Sequence, residues 1–336
     1  MSLTSVLASD RALAARLGAL VASRSAAEVS NLPLKAPPVT THYALIGTAF
    51  DYLFRFEVQR RNHDVLAKAW VAEHAVALAR AGYTVGGPTV LRWPPGADRA
   101  QLAKLFDASL SAAKAAHSKY IALSNPAGRD IEGIAEHAIR LAKLDPIYRA
   151  GYVDPEPATV DQMDVQDLVA LLGLVPFDRS MSICEQRKVL LNPTFGRFSV
   201  GIGGADADFV AGNTLVDIKT TKNPRLKPHL AQIVGYAMLA DAFRSQDMPT
   251  FPELRSIGIY YSRQGHLEII SFDLIRSASD YPGAYEDLLS RCTRASLSLA
   301  DVLTGETSLT TSEAGRESGR TKSTGKPKDS SSRHAR

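Results

Sequence analysis

The segment GGADADFVAGNTLVDIKTTK (residues 203–222) constrains the fold most, because short runs of alternating side chains flank a central pair of turn-forming residues. That pair, Gly212 and Asn213, tolerates positive φ and suits the two-residue turn of a β-hairpin. A hairpin with this turn pairs Val210 with Leu215 across the two strands. The sequence therefore predicts two short antiparallel strands with a fixed register.

The charged residues of this hairpin fall on a common face. Counting outward from the turn places Asp208 opposite Asp217. The next pair on the same face is Asp206 with Lys219. Successive side chains of a strand point to opposite sheet faces, so the intervening apolar residues share the other face. We expect that apolar face to pack inward, while the first face gathers carboxylates and an amine.

Such a face predicts a metal site. Two opposed carboxylates destabilise a hairpin unless something positive lies between them. Carboxylate oxygens suit Mg²⁺ or Mn²⁺, and either ion would activate a water molecule and stabilise charge on a phosphate oxygen. Lys219 could hold that water or the developing negative charge. The alternative is a solvent-exposed hairpin that carries a solvated ladder of Asp and Lys side chains, which would add little stability.

Helical periodicity dominates the first half of the chain. Apolar residues recur at three- and four-residue intervals in segments that Pro- and Gly-containing stretches separate. These segments are residues 41–61, 63–82, 97–123, 130–148 and 159–175. Residues 1–29 have the pattern of an amphipathic helix, with a transit peptide as the alternative. We expect residues 1–175 to form a largely helical N-terminal region packed on the core.

The pattern changes near residue 195 to short, glycine-punctuated runs that predict strands. The predicted elements of this half are strands within 196–222, a helix at 228–245, strands at 254–263 and 266–275, and a helix at 281–303. Residues 176–305 would therefore form the core of a mixed α/β (α+β) protein, with a sheet flanked by helices. Residues 306–336 are polar and basic, which predicts a disordered tail.

Composition narrows the class of protein. Lys and Arg number 39 against 35 Asp and Glu, a net charge of +4 that fits a polyanionic partner without requiring one. The two cysteines, Cys184 and Cys292, lie far apart, which argues against a disulfide framework, a structural zinc and a four-cysteine iron–sulfur cluster. No apolar run reaches membrane-spanning length. We expect a cytoplasmic protein without a membrane partner.

The helix predicted after the hairpin carries the sequence QIVGY, whose Gln232 and Tyr236 are four residues apart and share a face. Together, GGADADFV, LVDIKTT and QIVGY resemble the motifs of the PD-(D/E)XK nuclease superfamily, and within it the RecB-like exonuclease branch. The resemblance covers about residues 195–275. It implies a restriction-endonuclease-like core and a Mg²⁺- or Mn²⁺-dependent nuclease acting on DNA in repair, recombination or defence against mobile DNA.

The resemblance also implies a role for each matching residue. Asp208 and Asp217 would be metal ligands, joined by the backbone carbonyl of Ile218. Lys219 would be the catalytic lysine. The remaining two catalytic residues, Gln232 and Tyr236, would orient that lysine and the DNA backbone.

Two positions leave alternatives open. Asp206 suits the first acidic position by its spacing from Gly203, whereas Asp208 suits it by the apolar residues that follow. Asp51, in IGTAFDYLFRF, stands where many RecB-like members carry a histidine. It is either a further metal ligand or an ordinary charge on a helix. If it marks a degenerate site, the chain would be an inactive nuclease-fold protein that binds nucleic acid or acts as a scaffold.

Basic residues close to the hairpin predict a path for DNA phosphates. The run that follows Lys219 supplies Lys222, Arg225 and Lys227. The helix predicted at 41–61 supplies further candidates, which are Arg55, Arg60 and Arg61. The sequence contains no motif of an ATP-hydrolysing motor, so any strand separation would come from a separate helicase or another protein partner.

Overall fold

A computed structural model of the protein describes residues 2–21, 29, 31–81, 91–177, 181 and 188–292. These residues form a mixed α/β fold with one open six-stranded sheet. The strands are β1 Val65–Leu66, β2 Val189–Leu191, β3 Phe209–Ala211, β4 Thr214–Lys219, β5 Ser256–Tyr261 and β6 His266–Ser271. Chain order and spatial order coincide in the sheet, β1 to β6.

Helices lie on both sides of this sheet. In chain order they are α1 Leu3–Ser9, α2 Arg11–Ala19, α3 Tyr43–Arg61, α4 Val71–Ala81, α5 Arg99–Ile121, α6 Gly128–Ala150, α7 Gln162–Leu172, α8 Gly196–Gly201, α9 Leu226–Gln246 and α10 Phe272–Arg276. Residues 281–292 are also helical. No helix in the described ranges combines the length and apolar character that crossing a membrane requires.

The predicted hairpin is confirmed. β3 and β4 are antiparallel, and Val210 pairs with Leu215 as the turn chemistry predicts. Gly212 has a φ of +60°, a conformation that favours glycine. The pairing of β3 with β4 ends at Phe209 and Val216, so the ladder does not extend outward as far as Asp206.

Both faces of the hairpin are buried, which differs from the expected single apolar face. Phe209 and Val216 pack in a core shared with α3 to α7. Val210 and Leu215, on the face that carries the acidic residues, pack in a second core formed with α1, α2 and α9. The charged side chains of the hairpin therefore lie at the end of a covered sheet.

Several segments differ from the sequence prediction. Phe272–Arg276, within the strand predicted at 266–275, forms the short helix α10. Val65–Leu66, within a predicted helix, instead forms the edge strand β1 by parallel pairing with β2. Strand β2, Val189–Leu191, has no counterpart among the predicted strands. Gly196–Gly201 is helical rather than extended, because the Ser199 hydroxyl accepts a hydrogen bond from the Phe195 N–H and closes the turn.

The structure describes the N-terminal segment but not the predicted C-terminal tail. The N-terminal segment forms α1 and α2 rather than a single helix, and the Asp10 side chain caps the second by accepting from the Leu13 N–H at 2.9 Å. The expected tail, 306–336, lies outside the described residues, as do residues 293–303 of the predicted C-terminal helix.

Candidate metal centre

Strand β4 carries an ion pair between the buried Asp217 and the half-buried Lys219. Asp217 is only 4% exposed. The Lys219 Nζ lies 2.6 Å from the Asp217 Oδ2, on the sheet face that α9 covers. The alternative of a solvent-exposed Asp and Lys ladder is therefore wrong.

Asp208 reaches the same strand from the other side of the hairpin. Its Oδ2 accepts a hydrogen bond from the backbone N–H of Ile218, which lies between Asp217 and Lys219. Its own backbone carbonyl accepts from the Asn192 N–H at 2.9 Å. These two contacts hold the Asp208 carboxylate beside β4, where the outward count from the turn places it.

A chain of polar contacts links Lys219 to α9. The Lys219 Nζ donates to the Gln232 Oε1 at 2.8 Å. The Gln232 Nε2 donates to the Tyr236 Oη at 2.9 Å and to the Thr4 Oγ1 at 3.0 Å. The structure thus brings Gln232 and Tyr236 to the lysine, as their shared helix face predicts, and adds α1 as an unpredicted neighbour.

Asp51 approaches from α3, which packs on the opposite face of the sheet. Its Oδ2 lies 2.6 Å from the Arg55 Nη2, one helical turn away. Its Oδ1 is buried and has no hydrogen-bond partner within the described part of the chain. Asp51 is therefore both a helix ion-pair partner and a carboxylate with one buried oxygen that has no hydrogen-bond partner among the described residues.

The acidic side chains of the site disfavour one another's charge. Burial, followed by the neighbouring Asp217 and Asp51 carboxylates, raises the pKa of Asp208 well above its ordinary value. Burial also raises the pKa of Asp217 against the opposing effect of Lys219. The pKa of Asp51 is raised by burial and by Asp206, against the effect of Arg55. A deficit of positive charge thus remains at this end of the sheet.

Asp206 lies at the rim of the site instead of opposite Lys219. It forms an isolated antiparallel bridge with Thr194, and 42% of its side chain is exposed. Its Oδ2 lies 3.9 Å from the Arg149 Nη2. Asp208 is consequently the better placed of the two candidates for the first acidic position.

The predicted basic path is only partly open. Lys222, Arg225 and Lys227 are all exposed, and the first two line a cavity of about 320 Å³ together with Tyr43 and His229. Burial, Lys219 and Arg225 lower the pKa of His229 to about 4, so its ring is neutral at pH 7.

The three arginines of α3 are engaged within the protein. Arg55 is buried against Asp51. Arg60 and Arg61 both lie 2.6 Å from the Glu57 Oε1. These guanidinium groups already have carboxylate partners, and their place along a DNA path stays a prediction.

The donor set is suited to a hard divalent cation. Asp208 and Asp217, with the Ile218 carbonyl, are the groups that would hold Mg²⁺ or Mn²⁺. Among the residues that the structure describes, no three His, Cys, Asp or Glu side chains form a metal-holding group by themselves. The raised carboxylate pKa values and the free Asp51 Oδ1 nevertheless fit a site in which a further positive charge would stabilise the ionised acids.

Several neighbours of the site escape sequence reasoning. Asn192, at the end of β2, has a φ of +48° and a buried Oδ1 without a hydrogen-bond partner within the described ranges. Thr4 and Arg149 come from helices far away in the chain. Of these residues, only Asn192 could have been suspected from the sequence, because asparagine tolerates positive φ. Its position in the site could not be predicted, because strand β2 itself is not predicted.

Comparison of the chain with protein-family models, with curated proteins and with solved structures finds no match.

Proposed function

We propose that this chain is a divalent-metal-dependent nuclease that hydrolyses DNA phosphodiester bonds on a restriction-endonuclease-like core of the PD-(D/E)XK type. One observation carries the proposal: a half-buried lysine is held between a strand carboxylate and a helix amide, with a second carboxylate beside it. Lys219 contacts Asp217 at 2.6 Å and Gln232 at 2.8 Å, and Asp208 accepts from the intervening backbone N–H.

In this proposal Asp208, Asp217 and the Ile218 carbonyl hold Mg²⁺ or Mn²⁺. When bound, the ion would supply a nucleophilic water at neutral pH and would offset charge on the phosphate. Lys219, whose position is set by Asp217 and Gln232, would donate a hydrogen bond to the attacking water or to a phosphate oxygen. Tyr236 acts one contact further away, because its hydroxyl accepts from the Gln232 amide.

A second candidate is a nuclease-fold protein that binds nucleic acid or acts as a scaffold without cutting. The observation that favours it is charge compensation within the site. Lys219 pairs with Asp217, and Arg55 pairs with Asp51, so these two acids have partners without a metal. Metal-independent DNA binding without turnover, unchanged by Asp217→Ala, would select this candidate.

The test is cleavage of single- and double-stranded DNA by the full chain with Mg²⁺, with Mn²⁺ and with EDTA. Cleavage should require the ion and should fall by roughly 100-fold or more in Asp217→Ala and in Lys219→Ala. Asp280→Asn and Lys104→Ala are matched controls, because both residues are exposed and away from the site. Equal activity in the wild type and both site variants would contradict the proposal.

A further inference from the structure

A cavity of about 1020 Å³ opens beside the candidate metal centre. Arg55, Lys68 and Arg149 contribute cationic side chains to its lining, and Asp206 contributes an acidic one. Most of this lining comes from the helical half of the chain and from the segment after β2. Apart from Arg55, its cations are not among those that the sequence predicts along a DNA path.

The strand order places this cavity on one side of the carboxylates. β1 is parallel to β2, β4 is parallel to β5, and β2 and β4 both pair antiparallel with β3. The C-terminal ends of β1, β2, β4 and β5 therefore share one edge of the sheet. Lys68 follows β1, whereas Lys222 and the smaller cavity follow β4. Because adjacent strands lie about 4.8 Å apart, these two basic regions flank the carboxylates within roughly 20 Å.

Two cations in the larger cavity are available to an anion. The Lys68 Nζ contacts the Thr194 hydroxyl and has no carboxylate within ion-pair distance in the described ranges. Burial lowers the pKa of Lys68 against the opposing effect of the Asp206 carboxylate, so its charged form would gain from a further anionic partner. Arg149 is 53% exposed and lies 3.6 Å from the Asp145 Oδ2 and 3.9 Å from the Asp206 Oδ2, too far for short charged hydrogen bonds.

An aromatic surface lies beside these cations. Tyr148 is 53% exposed, and its ring centroid lies 5.4 Å from that of His74, which also lines the cavity. A positively charged groove with an exposed aromatic ring is the arrangement by which proteins bind single strands, since any base can stack on the ring. A cube of the cavity's volume would measure about 10 Å on a side. The major groove of B-DNA alone is about 12 Å wide, so a whole duplex is too wide to enter the cavity, whereas a single strand is narrower.

We propose that this cavity binds a single-stranded segment of nucleic acid next to the phosphate that is cut. Lys68 and Arg149 contact its backbone phosphates, and Tyr148 stacks on a base. The position of the cut rests on the proposed nuclease function, but strand binding at the cavity does not. The two are therefore testable separately.

The test measures the binding of a fluorescein-labelled oligothymidylate to the full chain in EDTA, by anisotropy over a range of salt concentrations. The double variant Lys68→Ala/Arg149→Ala is compared with Lys104→Ala/Arg129→Ala, which removes the same charge from exposed positions elsewhere. Each phosphate contact to a single strand contributes about 0.7 to the slope of log affinity against log salt. The cavity variant should lose about 1.4 in slope and the control should keep the wild-type value.

A second comparison tests the aromatic contact. Tyr148→Ala should weaken binding by about 5- to 150-fold. Tyr152→Ala, which removes another exposed tyrosine that does not line the cavity, should have no effect. Circular dichroism and thermal unfolding establish that each variant is folded.

Three results would overturn the proposal. One is equal affinity and equal salt slope in the cavity variant and its control. Another is tighter binding of a duplex of the same length, and the third is displacement of the strand by polyglutamate at equal charge. Metal-independent binding that depends on Lys68 and Arg149, in a wild type that never cuts DNA, would instead sustain the cavity assignment and refute the nuclease.

Discussion

The Lys219 amine lies 2.6 Å from the Asp217 carboxylate, two residues away on the same face of β4. The ammonium group therefore occupies a position beside the oxygen that a metal ligand needs free. A lysine in this position affects metal binding and chemistry in opposite directions. In the proposed nuclease it would compete with a cation for the carboxylate, yet it would supply the hydrogen-bond donor that the reaction uses.

Lys219→Met should separate these two effects. Removing one unit charge at a few ångströms should tighten Mn²⁺ binding by about five- to tenfold. The same change should slow DNA cleavage by roughly 100-fold or more, because the donor to the reacting groups is lost. Lys104→Met, at an exposed site, should change neither quantity. Weaker Mn²⁺ binding in Lys219→Met, measured by calorimetric titration, would contradict the competition between lysine and metal.

The hydrogen bonds of Gln232 predict the order in which substitutions around it slow DNA cleavage. Gln232→Leu removes a charged hydrogen bond to Lys219, so cleavage should fall by about 10- to 150-fold. Tyr236→Phe removes only a neutral acceptor and should cost about fivefold. Thr4→Ala loses a contact to the far side of the amide and should cost less than either. Single-turnover rates test the order, and a larger effect of Thr4→Ala than of Gln232→Leu would contradict it.

The buried carboxyl of Asp145 predicts a pH dependence of the free energy of unfolding. Burial raises its pKa to about 6, although its Oδ1 accepts from the Tyr52 hydroxyl at 2.6 Å. In the folded protein it keeps its proton to a higher pH than in the unfolded chain. The free energy of unfolding should therefore fall, by up to about 3 kcal/mol, as pH rises from about 4 to about 6. Asp145→Asn should abolish this contribution.

The measurement is urea unfolding of the wild type and Asp145→Asn at several pH values between 4 and 7. Over that range the variant should gain stability relative to the wild type, with most of the gain complete by about pH 6. Asp280→Asn, an exposed carboxyl, serves as the control. Stability curves of wild type and Asp145→Asn that run parallel would show that this carboxyl has no raised pKa.

The structure leaves no space for a side chain at Gly201. A Cβ atom there would overlap the Cys292 carbonyl oxygen and lie 2.9 Å from its carbonyl carbon. Gly201→Ala should lower the free energy of unfolding by about 1–3 kcal/mol, because backbone rather than a flexible side chain has to move. Gly133→Ala, in α6 with open space around it, should be neutral or raise it by up to about 1 kcal/mol. Equal effects in chemical denaturation would contradict the packing of α8 on residues 281–292.

Local chemistry accounts for the parts of the fold that the sequence predicts. The hairpin register follows from Gly212 and Asn213, and α5 and α6 follow from long runs of apolar periodicity. The short elements depend on partners elsewhere in the chain. Val65–Leu66 is a strand only because β2 pairs with it, and Gly196–Gly201 is helical through the bonds of Ser199. Neither interaction is visible as a pattern in the local amino-acid sequence.

In the candidate site too, some features follow from local sequence and others depend on contacts with distant segments. Asp208, Asp217 and Lys219 are predictable because a hairpin fixes which side chains share a face. Their burial is not, because it depends on α1, α2 and α9 covering that face. The same holds for Arg149, whose approach to Asp206 depends on how α6 packs.

The proposed function requires that Asp208 and Asp217 together hold a divalent cation. Electron paramagnetic resonance of Mn²⁺ measures it most directly, because the signal of the free ion falls as the protein binds it. The wild type should take up Mn²⁺, and Asp208→Asn/Asp217→Asn should bind it at least roughly tenfold more weakly. The control Asp64→Asn/Asp280→Asn, at two exposed carboxyls, should match the wild type. Equal Mn²⁺ uptake by all three proteins would show that Asp208 and Asp217 do not hold the ion.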